Sequence, residues 1–123
     1  MKSPEDICPD FPEWPERWMI ARKDLTYGEG LLESMHPFIE HLIVTGLEEK
    51  TIRNHIDNLW LLGGEIIRHV SAHHQYSISP LEKLKESVGP EGGPYCRHLE
   101  TESEVRSFDS TCRKLHRFLE QNT

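Results

Sequence analysis

A chain of 123 residues is the size of one domain and long enough to bury a single core; two domains would be cramped. No run of about 18 apolar residues occurs, which excludes a helical membrane span, and the opening Met1-Lys2-Ser3-Pro4-Glu5-Asp6 lacks the apolar segment of a secretion signal. The formal net charge of −7 disfavours indiscriminate binding to nucleic acid or anionic lipid, and all of it sits in residues 1–49, which hold 4 basic against 11 acidic residues while 50–123 hold 10 of each.

The three cysteines, Cys8, Cys96 and Cys112, are odd in number and scattered, as reduced thiols in a reducing compartment would be. A cytoplasmic protein is the expectation.

Residues 1–24 read as an arm. Pro4, Pro9, Pro12 and Pro15 forbid a continuous helix and favour an extended course, with a turn of helix from Pro15. Phe11, Trp14 and Trp18 are interleaved with them, and these aromatics either cover the chain's own bundle or dock on a partner.

Residues 25–123 read as a helical domain. Thr26-Tyr27-Gly28-Glu29 has the form of a capping box that opens a helix with the stripe Leu31, Leu32, Met35, Phe38, Ile39, Leu42 and Ile43. Pro37 should bend or restart this helix, and Gly46 should end it. The central strut follows, carrying Ile52, Ile56, Leu59, Gly63, Ile66 and Val70 at steps of three and four, widened by Trp60 and Ile67. Leu61 and Leu62 place apolar bulk on its far side, so its middle should be covered on more than one side.

Periodicity fades from Ser71. Ser79-Pro80-Leu81-Glu82 opens a short helix to about Val88, residues 89–94 form a breaker cluster expected to be a flexible loop, and Thr101-Glu102-Ser103-Glu104 caps a last helix with Val105, Phe108, Cys112, Leu115, Phe118 and Leu119. The reading is an all-α bundle of four to five helices with an extended, proline- and tryptophan-rich N-terminal arm.

An amphipathic helix ending in Gly46-Leu47, a helix opening on Lys50-Thr51-Ile52-Arg53-Asn54 and a last helix running from Arg106-Ser107-Phe108 to Leu119 resemble the core-binding domain of phage integrases and tyrosine recombinases, over roughly residues 29–120. The arm, the Leu59-to-Arg68 segment and Arg106-Ser107-Phe108-Asp109 also resemble a set of small bacterial proteins. The first resemblance implies a helical module that clasps DNA, with Lys50, Thr51, Arg53, Asn54, Arg106, Arg113, Lys114 and Arg117 nearest the phosphates. Glu48 and Glu49 depart from it, facing phosphate with like charge. None of the eight histidines has an arginine three residues later, so the catalytic His-x-x-Arg element of that family is missing and no recombinase activity is implied.

His69 and His73 are spaced to share a zinc ion, with Cys96 and His98 as further weak candidates, but no Cys-x-x-Cys or His-Glu-x-x-His context supports them. Glu65 either is a buried acid or points outward, with Gly63 and Gly64 serving a close approach or a bend. No phosphate-binding glycine loop or nucleophile motif occurs. The sequence therefore points to a binding module with no catalytic residues, metal or cofactor. Its contacts would be Phe11, Trp14, Trp18, Trp60, Leu61 and Leu62 on an unknown protein or a second copy, or alternatively the cationic positions on DNA.

Overall fold

In the computed structural model, which describes residues 2–122, the stripe from Ile52 to Val70 forms one face of helix α4, Glu49–His73, and its aliphatic side chains are at most 3 % exposed. Met1 and Thr123, the outer ends of the two expected segments, lie outside the described residues. The other elements are α1 (Pro4–Ile7), a single 3-10 turn (Phe11–Glu13), α2 (Trp14–Trp18), α3 (Lys23–Val44), α5 (Pro80–Ser87) and α6 (Glu102–Gln121). Helix α4 packs against α3 on one side and α6 on another, α5 lies on α3, and α2 wedges against both α3 and α4. Among the described residues no strand forms, so the fold is the all-α bundle that the periodicities predict.

Two of the three predicted caps hold. The Ser79 and Thr101 hydroxyls accept from the backbone N–H groups of Glu82 and Glu104, and Glu104 returns the bond to Thr101 N at 3.0 Å, closing a capping box. The third does not. Helix α3 begins a turn before Thr26 because fully buried Asp24 accepts from Ile20 N at 2.9 Å and Ala21 N at 2.8 Å. Burial alone would raise this carboxyl, but the bonds from Ala21 N, Tyr76 Oη and Ile20 N outweigh it and hold the group below the ordinary 3.8.

Helix α3 also runs through Pro37 without restarting. Pro37 and Glu33, whose carbonyl the proline deprives of its helical donor, are both exposed, so water can supply the missing bond. Gly46, at φ +79°, follows the end of α3. The central helix continues a turn past Val70 and stops where His74 turns left-handed, with Gln75 N returning to Val70 O at 3.0 Å. The breaker cluster is pinned rather than loose. Gly89 and Gly92 exchange two backbone hydrogen bonds, and Gly93 N donates to Asp109 Oδ1 at 3.0 Å on α6.

The arm is folded into short helical turns instead of an extended course. Pro4, Pro12 and Pro15 each stand in the first turn of one of them, where the ring's fixed φ is already helical and its absent N–H is not needed. Ile7, Phe11, Trp14 and Trp18 enter the same core as the bundle, so the boundary near residue 24 marks a change of local structure and not a second folding unit. Burying an aromatic of this size contributes on the order of 3 kcal/mol.

The arm is seated by absent side chains. The Trp18 indole lies flat against α4 at Gly63, where a methyl group would stand 2.1 Å from its Cζ2, and its Nε1–H donates to Trp60 O at 3.1 Å. Trp60 stacks on Trp18 at 5.8 Å between ring centroids and meets Trp14 edge-on at 5.5 Å. Gly64 is different, since a methyl there would meet Trp18 at an ordinary 3.5 Å. Gly63→Ala should therefore lower the free energy of unfolding by about 1–3 kcal/mol through overpacking. Gly64→Ala should leave it unchanged or raise it by up to about 1 kcal/mol through helix propensity. Urea denaturation followed by tryptophan fluorescence measures both, and equal losses in the two variants would contradict this account of the seat.

Between α4 and α6 runs a buried polar seam. His55 Nδ1 meets Thr111 Oγ1 at 2.7 Å, and the Asn58 amide donates to Thr111 Oγ1 at 2.8 Å and to Ser107 O at 3.1 Å. Among the described residues no buried side-chain nitrogen or oxygen lacks a partner. Burial holds the His55 imidazole below its ordinary 6.5, and the nearby Lys114 charge acts in the same direction. The unfolded chain protonates this histidine first, so the stability it confers is complete above about pH 6.5 and declines as pH falls through the lower folded value. His69 is shifted the same way, by burial and then by Lys83. Unfolding free energy measured from pH 7.5 downward should begin to fall below about pH 6.5, with a shallower slope in His55→Gln; an unchanged slope would remove His55 as a contributor.

Candidate functional site

Of the six side chains expected to meet a protein partner, Phe11, Trp14, Trp18 and Leu62 are instead buried in the chain's own core, at most 7 % exposed. Covering large aromatics within the chain removes more apolar surface from water than leaving them for a partner. Trp60 and Leu61 stay half-buried and line a groove of about 280 Å³ together with Ile20, Gly64 and Glu65. Ile20 is 65 % exposed and its neighbour Met19 44 %, so the apolar character continues past the rim. Two of the three rim arginines are paired, Arg17 with Asp10 at 3.2 Å and Glu13 at 3.6 Å and Arg68 with Glu65, while exposed Arg97 has no acid within ion-pair distance among the described residues. Glu65 is thus the half-buried acid of that pair, and Gly63 serves the approach of an indole where a second helix or a bend was expected.

The cationic positions do not merge into one face. Arg53 turns toward the arm, 3.8 Å from Glu49, which is itself held by Lys2 at 2.6 Å. Arg106 lies 3.8 Å from Glu102, and Arg113 points to Glu91 O in the glycine turn. Lys114 and Arg117 go elsewhere, lining a groove of about 290 Å³ with Phe38, His41, Leu47 and Phe118. Because Asn58 meets Ser107 and His55 meets Thr111, α4 and α6 run antiparallel, which brings Lys50, Thr51 and exposed Asn54 at the head of α4 to the same end as Lys114 and Arg117. Charges that share a helical face by spacing have different partners, one helical turn away for Arg53 and Arg106 and in the glycine turn for Arg113.

His69 and His73 lie 4.5 Å apart between ring centroids with their planes tilted by 49°, but Cys96 is buried and His98 lines the groove beside Trp60. Among the described residues no three His, Cys, Asp or Glu side chains gather in a metal-holding set. The thiols are poor nucleophiles. Burial pushes Cys112 to about 12; burial and then the bond to Asp10 push Cys8 to about 12; burial raises Cys96. No helix among the described residues is long and apolar enough to cross a membrane.

A third groove, wider than these two, escaped the sequence reading. A groove of about 430 Å³ opens between the arm and α3, with Phe11, Pro12, Pro15 and Leu32 among its apolar walls and Glu5, Glu29 and Glu33 along its rim. His36 sits inside it, between Glu5 at 3.1 Å and Glu40 at 3.2 Å. The signal was present as Glu29, Glu33, His36 and Glu40, a polar stripe at steps of four, three and four along one face of α3. Compared with models of known families, with curated proteins and with solved structures, the chain matches none.

Proposed function

We propose that this chain is a non-catalytic helical binding module that engages a protein, a second copy of itself in the simplest case, through the surface formed by Ile20, Trp60 and Leu61. The observation supporting it is a groove in which exposed Ile20 joins the half-buried Trp60 and Leu61, with exposed Met19 next to Ile20 in the chain and Arg17 and Arg68 on the rim paired within the molecule. Such a patch favours burial against apolar side chains and offers little to a charged ligand. Light scattering across a concentration series tests it on the wild type and Ile20→Asp, a change at an exposed position that leaves the core intact. The expected outcome is a dimer whose dissociation constant rises at least about tenfold in the variant. A monomer in both removes the second copy as partner.

The integrase-like reading keeps one support. Among the described residues Lys50, Lys114 and Arg117 have no acidic group within ion-pair distance, and they lie at one end of the bundle. Three phosphate contacts would weaken duplex binding about 40-fold between about 50 and 200 mM salt. Titration of duplex DNA at the two salt concentrations decides the matter, and absence of binding at the lower one ends this reading.

A further inference from the structure

We infer that the groove between the arm and α3 is a docking site for a basic peptide segment of another protein, one in which lysine or arginine alternates with apolar residues. The groove is a separate surface from the Ile20, Trp60 and Leu61 patch. Its volume, about 430 Å³, accommodates a few side chains, and Phe11, Pro12 and Leu32 give it an apolar floor. Pro12 belongs to the 3-10 turn, and the buried Phe11 beside it fixes that wall to the core. The floor is therefore formed before any partner arrives.

Charge selects the occupant. Glu29 and Glu33 are exposed one helical turn apart on the rim and, among the described residues, have no cation within ion-pair distance. Like charges at that spacing repel each other, and a cationic head group between them would relieve the repulsion. Glu5 closes the opposite side of the groove, held by His36 at 3.1 Å. A lysine or arginine fits such a site in two parts, with its methylene stem on Pro12 and Leu32 and its charge at the carboxylates. An adjoining leucine fills the remaining apolar space. Because the whole formal charge of −7 belongs to residues 1–49, the surrounding field also draws a cationic segment toward this side of the molecule.

Fluorescence polarisation with a labelled nine-residue peptide alternating lysine and leucine tests the inference on the full chain. The wild type should bind it, and Glu29→Lys/Glu33→Lys should raise the dissociation constant at least about tenfold. Glu91→Lys/Glu100→Lys changes the net charge equally at exposed positions in the segment between α5 and α6, outside the groove lining, and should raise it less than about threefold. Ile20→Asp should leave peptide binding unchanged, so failure here is distinguishable from failure of the dimer assay. Equal weakening by the two charge variants would reduce the effect to the overall field and overturn the site. So would equal affinity for the glutamate–leucine counterpart, or no binding of the cationic peptide.

Discussion

The contact on which the rest of the structure depends is the Trp18 indole lying against the bare backbone of Gly63. A side chain at that position would hold the ring off the helix, so the glycine converts the middle of an otherwise apolar strut into a flat seat. The hydrogen bond from the indole to Trp60 O then fixes the ring's orientation as well as its depth. A second seat of the same kind lies across the wedge, where Gly28 leaves room for Pro15 and a methyl group would stand 3.1 Å from its Cα. Helix α2, too short to be stable alone, is held between α3 and α4 by these two gaps. Both arm-lined grooves follow from that placement, since Phe11, Pro12 and Pro15 wall one and Arg17, Trp18 and Ile20 wall the other.

How far the chain could be read in advance divides along physical lines. Repeating features were legible. The stripes of α3, α4 and α6 state their period several times over, and Ser79 and Thr101 are caps whose partners lie three residues away. Features decided by a distant partner were not. Asp24 caps α3 from inside its first turn because Tyr76, 52 residues on, hydrogen-bonds its other oxygen. The arm's prolines are equally compatible with extended chain and with the first turn of a helix, and only the core waiting for Phe11 and Trp14 selects the second. The same limit explains why Trp14 and Ile20 could not be sorted from the sequence: both are apolar residues near prolines, and one is covered while the other is left out.

Charge read along a sequence is incomplete for a related reason. Arg106, Arg113 and Arg117 do share a helical face, but a face is not a field. The potential above each depends on what lies within a few ångströms, and Glu102 answers one arginine while the Glu91 carbonyl answers another. Conversely, the acidity of residues 1–49 became informative only when α3 and the arm placed part of it along the rim of an apolar groove. Net charge predicts attraction or repulsion at long range, and specificity needs carboxylates beside a surface that fits something.

The buried polar groups fix how the helices meet. Asp24 joins the start of α3 to Tyr76, Lys83 on α5 donates to Gln75 at 2.6 Å, and His55 with Asn58 joins α4 to Thr111 on α6. Each group spans two segments through hydrogen bonds to protein. A buried polar group satisfied in this way specifies how the elements meet, because sliding one helix past another would leave it unpaired at a cost of about 1–3 kcal/mol. A group meant to act on a ligand needs the opposite arrangement, with donor or acceptor capacity turned toward an open space. In this fold that arrangement belongs to Glu29 and Glu33 on the arm-side groove and to Lys114 and Arg117 on the groove at the far end of α3, at the mouths of concavities and not in the interior.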